Sequence, residues 1–163
     1  LRIHHPKGHI LLSSNHKYDW SRLTHLQLGK YAEYYAKMEF TLHGFDVYTA
    51  EVDDKGIDFV IRKDGKYYDV QVKSVRGYQY VFFPKSKFLL RKNLLATVLI
   101  FLPGAAPRIF LIPSEVWKMP KPPFTSKDYE GKKSAPEWGI NVSKKNDAVL
   151  DAFIFDKVVS SLI

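Results

Sequence analysis

The stretch GIDFVIRKDGKYYDVQVKS, residues 56–74, constrains this chain more than any other. Two runs rich in β-branched and aromatic residues flank Asp64-Gly65, the dipeptide that suits a two-residue type I′ turn, so a β-hairpin is predicted. That turn fixes the register. Lys63 pairs with Lys66, and counting outward sets Asp58 opposite Gln71 with Cβ atoms about 5 Å apart. Side chains alternate between faces, so Ile57, Phe59, Ile61, Tyr68, Val70 and Val72 form a core face. Asp58, Val60, Arg62, Tyr67, Asp69, Gln71 and Lys73 share the other.

Asp58, Gln71 and Lys73 therefore gather at one end of the polar face. Carboxylate and amide oxygens suit a hard cation such as Mg²⁺. An ammonium beside it can hold a water or a phosphate oxygen, the layout for phosphodiester hydrolysis. The plainer account is the solvated face of an antiparallel hairpin, and geometry alone leaves the two level.

The rest of the chain must build a core around the hairpin. Its 163 residues suit one domain, assigned to residues 21–163 behind a His-rich, aperiodic arm at 1–20. His4, His5, His9 and His16 have no spacing that organises a metal site. A helix is expected from Ser21 onward, capped by Ser21 or Thr24 and ended by Gly44. FDVYTAEV (45–52) and YQYVFF (78–83) read as strands, and KSKFLLRKN (85–93) as a basic connector with a helical turn. LLATVLIFL (94–102) and RIFLIP (108–113) read as buried strands. PSEVWKM is expected to be a short helix capped by Ser114, residues 119–139 a surface loop, and NDAVLDAFIFDKVVSSLI a final helix capped by Asn146 or Asp147. Helix, strands and helix in this order give an α/β (α+β) fold class with a mixed central β-sheet flanked by helices.

No apolar run reaches the ~18 residues of a membrane span, and the first residues lack a secretory signal's basic-then-apolar layout. The chain has no cysteine, which excludes disulfides and thiolate metal sites and fits a cytoplasmic or other reducing intracellular compartment. A formal net charge of +8 favours a polyanionic partner. Against it, Glu51, Asp53, Asp54, Asp58, Asp64 and Asp69 crowd together, as a cation site facing a polyanion would have them.

Plotted at about 100° per residue, residues 26–42 place Leu28, Tyr31, Ala32, Tyr35, Met38 and Leu42 on the apolar face of the first helix. Glu33 falls on its border, placed to lean over a sheet edge and add an oxygen to Asp58 and Gln71, or else to reach solvent. Glu39 lies inside the apolar face, where an acid needs a partner; whether it rather than Glu33 serves the site stays open.

A helical GKYAE (29–33), an Asp opening one strand and QVK (71–73) closing the next resemble the PD-(D/E)xK nuclease superfamily. Glu33 precedes Gly44 by eleven residues, as the helix acid does in archaeal Holliday-junction-resolvase members, and Gln71 and Lys73 follow Asp58 by thirteen and fifteen. Gln71 stands where most members carry Asp or Glu, as in a group of intron-encoded homing endonucleases. The resemblance spans residues 29–74. It implies a restriction-endonuclease-like core and a Mg²⁺-dependent DNA endonuclease, with Mn²⁺ as a substitute ion. It also implies that Asp58, Gln71, the Val72 carbonyl and Glu33 would hold the ion and its water, while Lys73 would position or deprotonate the attacking water.

The nucleic acid, duplex or branched DNA, is expected to meet Arg76, Tyr78, Tyr80, Lys85, Lys87, Arg91 and Lys92, where phosphate anchors alternate with stackable rings. Cutting both strands calls for two sites, hence a homo-oligomer. Two rivals stand beside this expectation: a DNA-binding protein with weakened catalysis, and a basic interaction domain whose hairpin face is merely wet.

Overall fold

The computed structural model describes residues 16–49 and 55–162. The N-terminal histidines His4, His5 and His9, the end of the strand expected at 45–52, and the acids Glu51, Asp53 and Asp54 lie outside them.

Helix α1 spans His25–Leu42. Thr24 caps it in a capping box, its hydroxyl accepting from the Gln27 N–H while the Gln27 side chain accepts from the Thr24 N–H. Gly44, at φ +79°, follows in the left-handed conformation that ends helices. Ser21 does not cap it; Trp20–Arg22 is a separate 3₁₀ turn.

Five strands form the main sheet: β1 (Asp46–Tyr48), β2 (Phe59–Lys63), β3 (Lys66–Arg76), β5 (Leu94–Phe101) and β6 (Arg108–Pro113), in the order β1-β2-β3-β5-β6. β3 and β5 run parallel and the other pairs antiparallel, so the sheet is mixed. The hairpin register is the one the turn dictates: Lys63 pairs with Lys66 and Phe59 with Val70. Asp64 and Gly65 both take positive φ, 49° and 76°, as a type I′ turn requires.

Each face of this sheet carries its own core. All eight β5 residues are buried. Leu95, Leu99 and Phe101 pack with Phe59, Ile61, Val70 and the α1 residues Leu28, Ala32, Ala36 and Phe40. Leu94, Ala96, Val98 and Ile100 point the other way, into a core with Val81, Phe83, Phe88, Trp117 and Ile140. A second sheet closes that core, made of β4 (Tyr80–Pro84), β8 (Glu137–Asn141) and β7 (Phe124–Lys127) in the order β4-β8-β7.

This second layer revises several expectations. The polar hairpin face is buried at Gln71, only 6% exposed, and stays open at Tyr67, 52% exposed, and Ile57 packs against the second core instead of the first. Residues 119–139 are not a loop throughout, because β7 and the start of β8 lie within them. Residues 85–93 form turns without a helix. The segment at Ser114–Lys118 is a 3₁₀ helix whose Ser114 hydroxyl is engaged elsewhere, accepting from the Arg91 N–H and donating to the Arg91 carbonyl. The C-terminal helix is broken into α2 (Asp147–Leu150), 3₁₀ turns and α3 (Phe155–Val159), because Ile154 turns extended at ψ 135°. No side-chain cap closes α2: the Asn146 amide donates to the Asn141 carbonyl and Asp147 accepts from Tyr78 and Arg108.

The buried stripe of α1 is also rotated from the expected one. Leu28, Ala32, Ala36 and Phe40 are buried, whereas Met38 and Leu42 are 60% and 80% exposed. A sheet packed against this helix needs small side chains at close approach, so the alanines rather than the longest apolar residues face it.

Candidate active site

The candidate site forms where β2 stops and β3 continues. β2 pairs with β3 only as far as Val70, while β5 pairs with it from Asp69 to Arg76. Beyond Val70, β3 therefore keeps one edge that no strand among the described residues occupies. Asp58 turns into this gap. Its N–H donates to the Val70 carbonyl, and its Oδ2 accepts from the Val72 N–H at 2.5 Å. In a strand the N–H and C=O of one residue face the same side, so the Val72 carbonyl opens toward Asp58 as well.

Gln71 lies one residue before Val72. Its Oε1 is buried and has no hydrogen-bond partner among the described residues. A buried carbonyl oxygen left unpaired costs about 1–3 kcal/mol, and an amide oxygen is a donor suited to a hard cation or a water. Gly56, at φ +77°, passes close beside the other end of the amide: a Cβ there would stand 3.4 Å from Gln71 Nε2 and 3.1 Å from Lys87 Cβ.

Glu33 reaches the same edge from α1. With Val72, Lys73, Ser74, His25 and Lys30 it lines a cleft of 300 Å³. Its Oε2 accepts from Lys30 Nζ at 2.7 Å. The Lys30 ammonium is held above its ordinary pKa, first by this hydrogen bond and the Glu33 charge, and further by the Asp58 charge. One lysine thus answers both carboxylates. Lys73 projects toward the second layer, its ammonium 5.9 Å from the Phe83 ring centroid.

Glu33, Val72 and Lys73 therefore line one cleft, with Asp58 bonded to the Val72 N–H and Gln71 buried one residue before it. The donor set fits a hard divalent cation: two carboxylates, a backbone carbonyl and an unpaired amide oxygen are all oxygen ligands. Glu39 sits apart. With His43 and Asp156 it forms a separate cluster whose ligand atoms lie within 4.8 Å of one another, and His43 Nε2 is 3.3 Å from Asp156. Glu39 thus stands within reach of His43 and Asp156, in a cluster that does not include Asp58.

The residues expected to meet nucleic acid divide. Arg76 donates to the carbonyls of Trp20 and Leu23 and lines a second cleft beside Lys73 with Tyr80. Tyr78 donates to Asp147. Lys85 is paired with Asp128 and lies 4.1 Å over the Trp138 ring. Arg91 is paired with Asp69 at 2.5 Å. Lys87 and Lys92 are exposed. Sequence reasoning passed over Lys30, His25 and Phe82, all of which line the clefts. Lys30 was legible in principle, standing three residues before Glu33 on one helix stripe; the other two meet Lys73 only through the fold.

A helix laid across a mixed five-stranded sheet, backed by a second sheet, has the architecture of a restriction-endonuclease-like fold. Among solved structures, the chain is similar to Hjc, a Holliday junction resolvase from the archaeon Archaeoglobus fulgidus. The TM-score is 0.50 at 15% identity, over 81% of this chain and 95% of that one. It is also similar to the bacterial homing endonuclease I-Ssp6803I, at TM-score 0.44 and 15% identity over 79% and 95% of the two chains. No protein-family model and no curated protein sequence matches the chain.

Proposed function

We propose that this chain is a divalent-cation-dependent DNA endonuclease acting through the β3 edge. The observation that carries the proposal is the Asp58 carboxylate held on the Val72 N–H at the free edge of β3, where Val72, Lys73 and Glu33 line one cleft. The fold likeness to a Holliday junction resolvase supports it at the level of architecture.

Asp58, Gln71 Oε1 and the Val72 carbonyl would hold the cation, with Glu33 contributing directly or through water. When bound, Mg²⁺ or Mn²⁺ supplies Lewis-acid polarisation of the phosphate and a more acidic water. Lys73 holds the attacking water and stabilises the negative charge that grows on the phosphoryl oxygens. Lys30 gives the carboxylates a counter-charge until the cation is in place, then is free to turn to a phosphate. Residues 21–163 act as one unit, inside the cell, and as a homo-oligomer where both strands are cut.

The amide at Gln71 supports one alternative, a DNA-binding protein with weakened catalysis, since it removes a negative charge from the cation site. Plasmid DNA separates the two. Wild-type protein with Mg²⁺ is expected to nick it, EDTA to stop it, and Asp58→Ala and Lys73→Ala to lower the rate by at least about 10²-fold. DNA binding without any Mg²⁺-dependent nicking would establish the alternative. Equal nicking by wild type and both variants would remove the site from the reaction.

A further inference from the structure

The cleft with Glu33 continues past Lys73 into a second one of 410 Å³, and His25, Lys73 and Ser74 line both. Lys73 and Arg76 supply positive charge in the second cleft, and no Asp or Glu is among its lining residues. Its far wall is β4. Along this strand Val81 and Phe83 enter the core, while Tyr80 and Phe82 alternate outward.

Phe82 is 49% exposed and belongs to neither core cluster. Its neighbour on the same face of β4, Tyr80, is fixed in place. The Tyr80 hydroxyl donates to Glu137 at 2.8 Å, and Lys127 stands 3.9 Å over the Tyr80 ring. The Tyr80 ring also occupies the space where a side chain at Gly139 would be, its Oη 1.9 Å from that Cβ position. Phe82 lies against this fixed ring at 6.4 Å and 17°, nearly parallel. The result is a flat apolar ring held at the wall of a positively charged cleft, one step from Lys73.

We propose that this cleft takes a nucleotide of the cleaved strand, with its base stacked on Phe82. The inference rests on the nuclease assignment of the adjacent edge. Positive charge receives the backbone, and the ring receives any base, since every base has a π-face. Both faces of a base inside a continuous duplex are already stacked on its neighbours. Phe82 therefore selects DNA that presents an unpaired base beside the scissile phosphate.

The test uses the intact chain carrying Phe82→Trp, with Ca²⁺ replacing Mg²⁺, titrated with a single strand, a duplex of the same sequence and a duplex with one unpaired nucleotide. Fluorescence is read as the difference from wild type, whose three tryptophans give the background. The single strand and the unpaired-nucleotide duplex should quench the added indole saturably, the plain duplex should not, and an abasic nucleotide at the unpaired position should abolish the effect. In Mg²⁺, Phe82→Ala should cut the unpaired-nucleotide duplex about 5- to 150-fold more slowly, and Phe82→Tyr should restore the rate. Unchanged indole fluorescence on DNA that the wild type cleaves would overturn the base site and leave the nuclease standing. Quenching without Mg²⁺-dependent cleavage would uphold the base site and overturn the nuclease. Silence in both would overturn both.

Discussion

Gln71 concentrates the chemistry of the molecule in one side chain. It is only 6% exposed, and its Oε1 has no hydrogen-bond partner among the described residues. Gln71→Glu sharpens this. A second carboxylate beside Asp58, buried with no added donor, should cost about 1–3 kcal/mol when divalent cations are removed. A chain of this length melts about 3 °C lower per kcal/mol, so thermal melts in EDTA should show a fall of several degrees. Adding Mg²⁺ should recover this loss, because an ion bound only by the folded state stabilises it, and the variant should need less Mg²⁺ than wild type for half-maximal response. A melt that ignores both EDTA and Mg²⁺ would show that no cation sits at Gln71.

At the scale of elements, α1 matters for where it starts. The Thr24–Gln27 capping box fixes the first turn, and that turn carries His25 into both clefts, with Lys30 and Glu33 one and two turns further on. Thr24→Ala should cost about 1 kcal/mol, read as a lower denaturation midpoint with unchanged slope, and should loosen the cleft wall enough to lower cleavage more than binding. This element was legible from sequence because its signals are local: a capping threonine before it and a left-handed glycine after it. The hairpin was legible for the same reason, since Asp64-Gly65 alone dictates which residues pair. The second sheet was not. β7 and β8 lie in a Pro-, Lys- and Gly-rich stretch without strand periodicity, and they become strands because β8 pairs with β4, more than fifty residues earlier, and β7 pairs with β8. The polar hairpin face thus looked open to water, although Gln71 on it is buried, with Gly56 passing beside its amide. Phe82 was invisible for the mirror reason, an apolar residue in an apolar strand that the second layer leaves outside.

For the whole molecule the question is how much of the formal charge of +8 can act on a polyanion. Much of the basic set is already answered: Lys85 by Asp128, Arg91 by Asp69, Arg108 by Asp147 and Asp151, and Arg62 by Asp46. Lys30, Lys73 and Arg76 line the clefts, and Lys87 and Lys92 are exposed on the basic connector that follows β4. Each phosphate neutralised releases counterions and adds about −0.9 to the slope of log K against log salt on duplex DNA. Binding through this small group should give a slope of about −3 to −5, well short of the slope the total count of lysines and arginines suggests. Changing both Lys87 and Lys92 to Ala should bring that slope about 2 closer to zero and weaken all DNA sequences alike, because phosphate contacts position without reading. Binding isotherms for wild type and the double variant across salt concentrations measure both quantities. A slope near zero for the wild type would mean that the excess charge serves no nucleic acid, and a slope unmoved by the double variant would place the DNA path on another face.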